Sequence, residues 1–445
     1  MTFRAGAAEV VITPPVGTFL DGYSARSTGS VGVHDDLHAR AIAFDDGTTQ
    51  AAIVGCDLIG IDRRLARAVR QIVHEAIGIP REHIMVSATH THAGPAGLRA
   101  DMNAELTDIT TRLIAGAIIS AHAKLRPAVV KAGRGSVDSV SQNRRHPDWP
   151  IEDALHMLLF DSPDPRGGVI ASIVNFACHA TVMFSSNMEI SADYPGYAAA
   201  TVKKVLGDAP VVFLNGACGD VNPSWIEQRF EEAERVGSIV GAEAARRLQE
   251  LRPLGLQQKT WNIRWDELTD KPVTSGSLIA EPRIRVAASV VDVPMRQLEP
   301  PATYEARIAE ARREVDVLAA SDVEQRRRLM EQITRLSGER GVASRQRPGG
   351  PHSLHPEVQA ISLGPGQAIL GLPGEFFAET ALRLRADAGI EHLAIACYTN
   401  HHVFYVVPHH AFDEGGYEPG VAVLDDTAEA TFRDTALKLI AAVAR

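Results

Sequence analysis

The chain has 445 residues, 45% of them hydrophobic and 22% charged, with a formal net charge of −10. This is the composition of an ordinary globular protein with length enough for a large core, and length alone predicts two or three domains. The acidic balance without a basic face excludes general nucleic-acid binding, and no apolar run is long enough to span a bilayer, so no transmembrane segment is expected.

Taken in order, Met1-Thr2-Phe3-Arg4 runs straight into a strand-like segment, with no signal-peptide core or cleavage site, so a cytoplasmic protein is expected. A short strand at Val10-Val11-Ile12 precedes Thr13-Pro14-Pro15. A further strand ends at the hairpin signal Asp45-Asp46-Gly47. Ala51 to Cys56 reads as a strand ending at Asp57. Leu65, Val69, Ile72 and Ala76 then recur at helical spacing, between a cap at Asp62 and a stop at Gly78. The apolar run Ile84-Met85-Val86 completes a strand–helix–strand unit with parallel strands. Ligand sites collect beyond the carboxyl ends of such strands. There the sequence reads Thr89-His90-Thr91-His92-Ala93-Gly94-Pro95. In an extended backbone, residues i and i+2 share a face, so His90 and His92 are expected to project together towards a metal ion or substrate.

A second helix is expected from Leu106 to Leu125, then strands at Leu155 to Phe160 and Val169 to Phe176, the latter leading to Cys178-His179. Val211 to Leu214 ends in Asn215-Gly216-Ala217-Cys218-Gly219-Asp220, and Glu227 to Leu251 is a long helix. Strands at Thr260 to Trp265 and Ile284 to Val293 precede a charged helix or hairpin over about 302–340. Its apolar stripe of Ile308, Ala311, Val315 and Leu318 suits a lid or a homodimer contact. Arg345 to Ser353 reads as a loop, and Val358 to Leu363 as a strand. Glu375 opens a helix running to about Arg385, where the helix dipole would favour its charge, and Leu393 to Cys397 is the last strand. Polar residues thus recur where apolar strands stop. The pattern is an α/β fold with mixed β-sheets flanked by helices. Cys56, Cys178, Cys218 and Cys397 form no Cys-x-x-Cys pair, which indicates neither a disulfide framework nor a thiolate zinc site.

His90, His92, His179 and Glu375 are the candidate metal ligands. Two histidines and a carboxylate make a known catalytic zinc set with a coordination position left open. Taken singly, His179 reads better as a satisfied buried histidine, and Glu375 as an ordinary first-turn carboxylate.

The sequence resembles the catalytic domain of the neutral (non-lysosomal) ceramidase family. The matching segments fall in the family's order: Ile12-Thr13-Pro14-Pro15-Val16-Gly17, Gly32-Val33-His34, Thr89 to Pro95, Asn143-Arg144, His179-Ala180-Thr181, Ser191 to Ala198, Gly219-Asp220-Val221, Pro373-Gly374-Glu375-Phe376, and Tyr405-Val406 with Tyr417-Glu418. They spread over nearly the whole chain, which favours one catalytic domain over residues 1–445. The resemblance implies a Zn2+-dependent amidase with His90, His179, Glu375 and Tyr405 on the metal. It places His92 beside the metal to handle protons, Tyr417 as donor to the oxyanion, and Arg144 on the substrate side. Zinc-activated water would attack the amide, and Asp57, Asp193 and Asp220 are candidates to orient the ligand histidines, although strand-end aspartates also serve simply as caps and turns.

The family has a serine where this chain has Asn222, and an amide cannot be a nucleophile. A tyrosine of the family is replaced by His402, with His409 and His410 close behind. The family's C-terminal β-rich domain is not expected beyond the catalytic domain. The expectation is therefore a zinc hydrolase of a small-molecule N-acyl amide or lipid-like, ceramide-like substrate. The alternatives are an esterase or lactonase on the same site, and an inactive binding homologue because of Asn222.

Overall fold

Short apolar runs bounded by turn residues become strands, and these assemble into three main sheets of five, five and four strands. The computed structural model describes residues 2–444 apart from 100–101, 165, 253–257, 262–267, 272–276, 320 and 347–349. The strand expected over 260–265 and the loop over 345–353 lie partly outside the described residues.

The first sheet runs Ile84–Ala88, Gln50–Cys56, His38–Asp45, Arg4–Val11 and Arg126–Pro127. Its hairpin turns at Gly47, φ 86°, with Asp45 opposite Gln50. Gln50–Cys56 and Ile84–Ala88 pair in parallel. The helix between them, Arg63–Ile77, is capped by Asp62, which accepts from the Arg64 amide, and is stopped by Gly78 at φ 77°. This is the strand–helix–strand unit its sequence pattern predicts.

The second sheet runs Val211–Asn215, Val169–Phe176, Ala154–Asp161, Val129–Ser136 and Ser277–Leu278. Its parallel pair is Val169–Phe176 with Val211–Asn215, crossed by the helix Asp193–Leu206. The third sheet runs Arg285–Val290, Glu357–Ser362, Gln367–Gly371 and His392–Ala396, the last two parallel around the helix Ala378–Ala388. Each sheet therefore contributes one parallel crossover, and the loops after those strands are where polar chemistry can gather.

The sheets face one another across a shared apolar cluster. It contains Phe44, Ile53 and Met85 from the first sheet, Phe160, Ile173 and Leu214 from the second, and Ile361, Ile369 and Ala396 from the third. Asn175 pins the second sheet to the third. Its amide donates to the carbonyls of Leu214 (2.9 Å) and Ile395 (2.8 Å), and its Oδ1 accepts from the Ile395 amide (3.0 Å). The architecture is α/β with mixed sheets and helices outside, as the element pattern predicts.

The charged stretch near 302–340 is two helices, Pro301–Val317 and Val323–Arg345. Tyr304, Ile308 and Ala311 of the first pack on Leu329, Ile333 and Leu336 of the second, so the expected apolar stripe is the hairpin's own seam. The second helix also lies against the short helix Tyr417–Val421. Among the described residues no helix is long and apolar enough to cross a membrane.

Candidate metal centre and active site

His90 lies just beyond the strand Ile84–Ala88, and His179 just beyond Val169–Phe176. The two histidines of Thr-His-Thr-His do meet, with Nε2 of His92 3.1 Å from Nε2 of His90. The reason is not the extended backbone expected from the sequence. His90 has φ 69°, and its ring stands at 89° to that of His92. Left-handed backbone also occurs at Asp193, at the start of its helix, and at Tyr398, Asn400 and Phe404 in the surrounding loops. Such conformations cost roughly 1–3 kcal/mol each and persist where packing dictates them. Gly22 approaches so closely that a Cβ there would sit 2.5 Å from Nδ1 of His92.

Glu375 does not open a helix. It sits in a two-residue bridge, directly opposite Tyr405, and the helix begins three residues later at Ala378. The helix-dipole reading is therefore replaced by direct contacts. Oε2 of Glu375 lies 3.4 Å from Nε2 of His90 and 3.3 Å from Nε2 of His179, and Oε1 lies 3.2 Å from Nε2 of His402. Burial pushes His179 down to about 4, with the Arg144 charge acting the same way. Burial and the neighbouring rings push His92 well below its ordinary value.

Neutral imidazoles have one N–H each, and the backbone fixes where it is. Nδ1 of His90 is 2.6 Å from the Ile59 carbonyl, and Nδ1 of His179 is 2.5 Å from the Cys218 carbonyl. A carbonyl only accepts, so each Nδ1 carries a proton, which in a neutral ring leaves Nε2 with a bare lone pair. The two lone pairs point at an ionised carboxylate oxygen. Nε2 of His179 and Oε2 of Glu375 are buried without a hydrogen-bond partner. Acceptors turned on one another in a dry site repel unless a cation lies between them. The ring nitrogens of His90, His92 and His179 lie within 4.8 Å of one another. The donor set fits a metal ion.

Backbone carbonyls, then, orient the histidines, and the aspartates expected in that role do other work. Asp57 accepts from Arg40 (2.7 Å) and the His38 amide. Asp193 accepts from the Met183 and Tyr194 amides, and Asp220 from Asn143 and the Ala378 amide. They brace the loops that carry the site. Asn215 is a brace that sequence reasoning missed. Its side chain donates to the carbonyls of both Thr89 and Cys178, each at 2.9 Å. The Asn-Gly at the end of an apolar strand was its only local signal.

The cluster opens into a cavity of about 300 Å³. His92, His179, Arg144, Asn222, Tyr405 and Tyr417 all line it, so the structure brings these sequence-selected residues to one place. Arg144 is the hub of the far wall: it donates to Glu418 (2.8 Å), Tyr405 Oη (3.0 Å) and Asn222 Oδ1 (3.2 Å). Tyr23, Phe184, Trp225 and Gln228 also line it and were not anticipated. His409 and His410 stand elsewhere, paired with Asp426 and Glu379.

Residues 3–235, just over half of the chain, match the family described as neutral/alkaline non-lysosomal ceramidase, N-terminal. The chain belongs to that family. It is 25% identical over 478 residues to the neutral ceramidase of Mycobacterium tuberculosis, covering 90% of this chain and 70% of that protein. It is 27% identical over 237 residues to neutral ceramidase B of Dictyostelium discoideum, covering 46% and 33% respectively. The match thus spans about a third of the length of the Dictyostelium relative. Its fold follows that of the neutral ceramidase from Pseudomonas aeruginosa, at TM-score 0.73 and 18% identity over 99% of this chain and 74% of that one.

Within this ceramidase-family chain the substituted positions have defined surroundings. Asn222 does not reach the histidine cluster by any hydrogen bond among the described residues; its Oδ1 takes one from Arg144. His402 contacts Glu375 itself.

Proposed function

We propose that this ceramidase-family chain is a zinc-dependent hydrolase that cleaves the carboxamide bond of an N-acyl amide. One observation carries the reading: Nε2 of His90, Nε2 of His179 and Oε2 of Glu375 converge beside a cavity lined by Arg144, Tyr405 and Tyr417, and the last two of these buried atoms have no hydrogen-bond partner. His90, His179 and Glu375 would hold the ion, with Tyr405, opposite Glu375, as the fourth ligand. When bound, zinc supplies Lewis acidity that polarises a carbonyl and readies water for attack near neutral pH.

The chain's own residues do the rest. His92 is neutral, next to His90, and lines the cavity, so it is placed to take a proton from the attacking water and return it to the leaving amine. Tyr417, half exposed, lines the same cavity and keeps its proton, because partial desolvation and the nearby Glu375 raise its pKa; it can donate to an oxyanion. Arg144 holds Tyr405 and Asn222 in place and keeps a positive charge on the wall where negative charge develops.

Elemental analysis of purified wild type and of His179→Ala, with turnover of an N-acyl amide, tests this. About one zinc per chain in the wild type, lost together with hydrolysis in the variant, is expected. Wild type that takes up no metal when supplied with it would overturn the reading.

A further inference from the structure

We propose that His402 is a positioning residue that holds one oxygen of Glu375 so that the other is free for a metal ion, and that Arg99 and Asp21 set the His402 tautomer required for this. The inference rests on the zinc-hydrolase reading and concerns residues beyond the ligand set.

The geometry runs in one direction. Asp21 grips Arg99 with both oxygens, at 2.8 Å to Nη2 and 3.0 Å to Nε. The remaining Nη1 of Arg99 lies 2.9 Å from Nδ1 of His402. A guanidinium has donors only, so Nδ1 of His402 must accept and its single proton is on Nε2. That Nε2 is 3.2 Å from Oε1 of Glu375 and donates to it. The tautomer is thus the reverse of that in His90 and His179, whose protons are on Nδ1. Oε1 of Glu375 is engaged, and Oε2 is left facing the two bare nitrogens. The arrangement would leave Oε2 alone to hold an ion.

The ring has little freedom to do anything else. The His402 side chain is 2% exposed. Gly60 lies so close that a Cβ on it would come within 2.8 Å of Cγ of His402. Phe404 and Tyr398 pack on the ring at centroid distances of 5.2 and 5.9 Å. Outer-shell partners of this kind typically change metal affinity 10–100-fold when removed.

Zinc affinity, measured by chelator competition on metal-stripped protein, tests the chain of contacts in wild type, His402→Phe, His402→Gln and Arg99→Met. Thermal unfolding of each metal-free form reports folding separately. His402→Phe keeps an aromatic ring without the donor and is expected to bind zinc 10–100-fold more weakly. His402→Gln restores an N–H and is expected to recover most of that loss. In metal-free protein, long-range nitrogen–proton spectra should show His402 protonated on Nε2, and mixed tautomers in Arg99→Met. Equal affinity in His402→Phe and wild type, or no recovery in His402→Gln, overturns the inference while the hydrolase reading stands. Wild type without zinc uptake overturns both. Should His402→Phe fail to fold, Arg99→Met decides alone: an unchanged tautomer and affinity there overturn the proposal.

Discussion

Gly338 sits directly against Gly420: a Cβ on Gly338 would lie 2.9 Å from the Gly420 carbonyl carbon and 3.0 Å from its oxygen. The contact joins the helix Val323–Arg345 to the helix Tyr417–Val421, whose first residues are Tyr417 and Glu418. Arg296 adds to the joint, donating to Glu339 on one side and to the Pro419 carbonyl on the other. The charged hairpin is therefore a brace behind the active-site wall. Gly338→Ala gains about 1 kcal/mol of helix propensity but must push the facing helix away. Loss of alignment of that order costs on the order of 10²-fold in rate. We expect kcat to fall by about 10–100-fold with zinc content unchanged. Unchanged kcat would show that the joint does not position Tyr417.

Asn215 ties the two histidine-bearing loops together at their backbones. In Asn215→Ala the Thr89 carbonyl loses its donor and the Cys178 amide its acceptor in a site closed to water, while the Cys178 carbonyl keeps the Tyr194 hydroxyl. Each buried group left unpaired costs roughly 1–3 kcal/mol. The variant is expected to lose about 2–4 kcal/mol of stability in urea unfolding and to bind zinc more weakly, because His90 and His179 are no longer held in register. A stability loss without any change in zinc affinity would mean that the brace serves folding alone.

What could be read from the sequence is local. Asp62, Gly78 and the helical stripe between them identify one crossover, and Asp46-Gly47 identifies a hairpin, because caps and turns act over a few residues. His90, His179, Glu375 and Tyr405 could be nominated as a set only through the family resemblance. Nothing in the spacing of residues 90, 179 and 375 shows that three separate sheets bring both histidines within 3.4 Å of Glu375. The mistaken readings have the same origin. Glu375 looks like a first-turn carboxylate until its pairing with Tyr405 is known, and Asp57 looks like a histidine partner until Arg40 takes it. The carbonyls that orient His90 and His179 leave no trace in side-chain identity at all.

Asp193 offers a test in pH. It is buried at the start of its helix with φ 54°. Burial raises its carboxyl to about 6 from an ordinary 3.8, even though the Met183 and Tyr194 amides donate to it and act the other way. The folded chain thus binds this proton more tightly than the unfolded chain does. Its stabilising contribution is complete below about pH 4, declines as pH rises to about 6, and is absent above. At about 1.4 kcal/mol per unit, the stability of wild type relative to Asp193→Asn should fall by about 3 kcal/mol between pH 4 and pH 7. A difference independent of pH in paired denaturation curves would refute this.

Asn222 separates the two chemistries open to a ceramidase-family site. The family serine at this position is absent, and the Asn222 side chain spends its oxygen on Arg144 at 3.2 Å. If water is the nucleophile, Asn222 matters only as a prop for Arg144, which keeps its contacts to Glu418 and Tyr405 without it. Asn222→Ser should then change kcat/KM by less than about 10-fold. Arg144→Met strips the wall of its cation and is expected to cost about 10²–10³-fold, the range for loss of one oxyanion-stabilising group. Steady-state kinetics on one N-acyl amide, with mass spectrometry for acyl adducts, distinguishes the routes. A large gain in Asn222→Ser together with an acyl-serine adduct would mean that the site is built for a serine nucleophile after all. Near-equal rates and no adduct are what a site organised around His90, His179 and Glu375 should give.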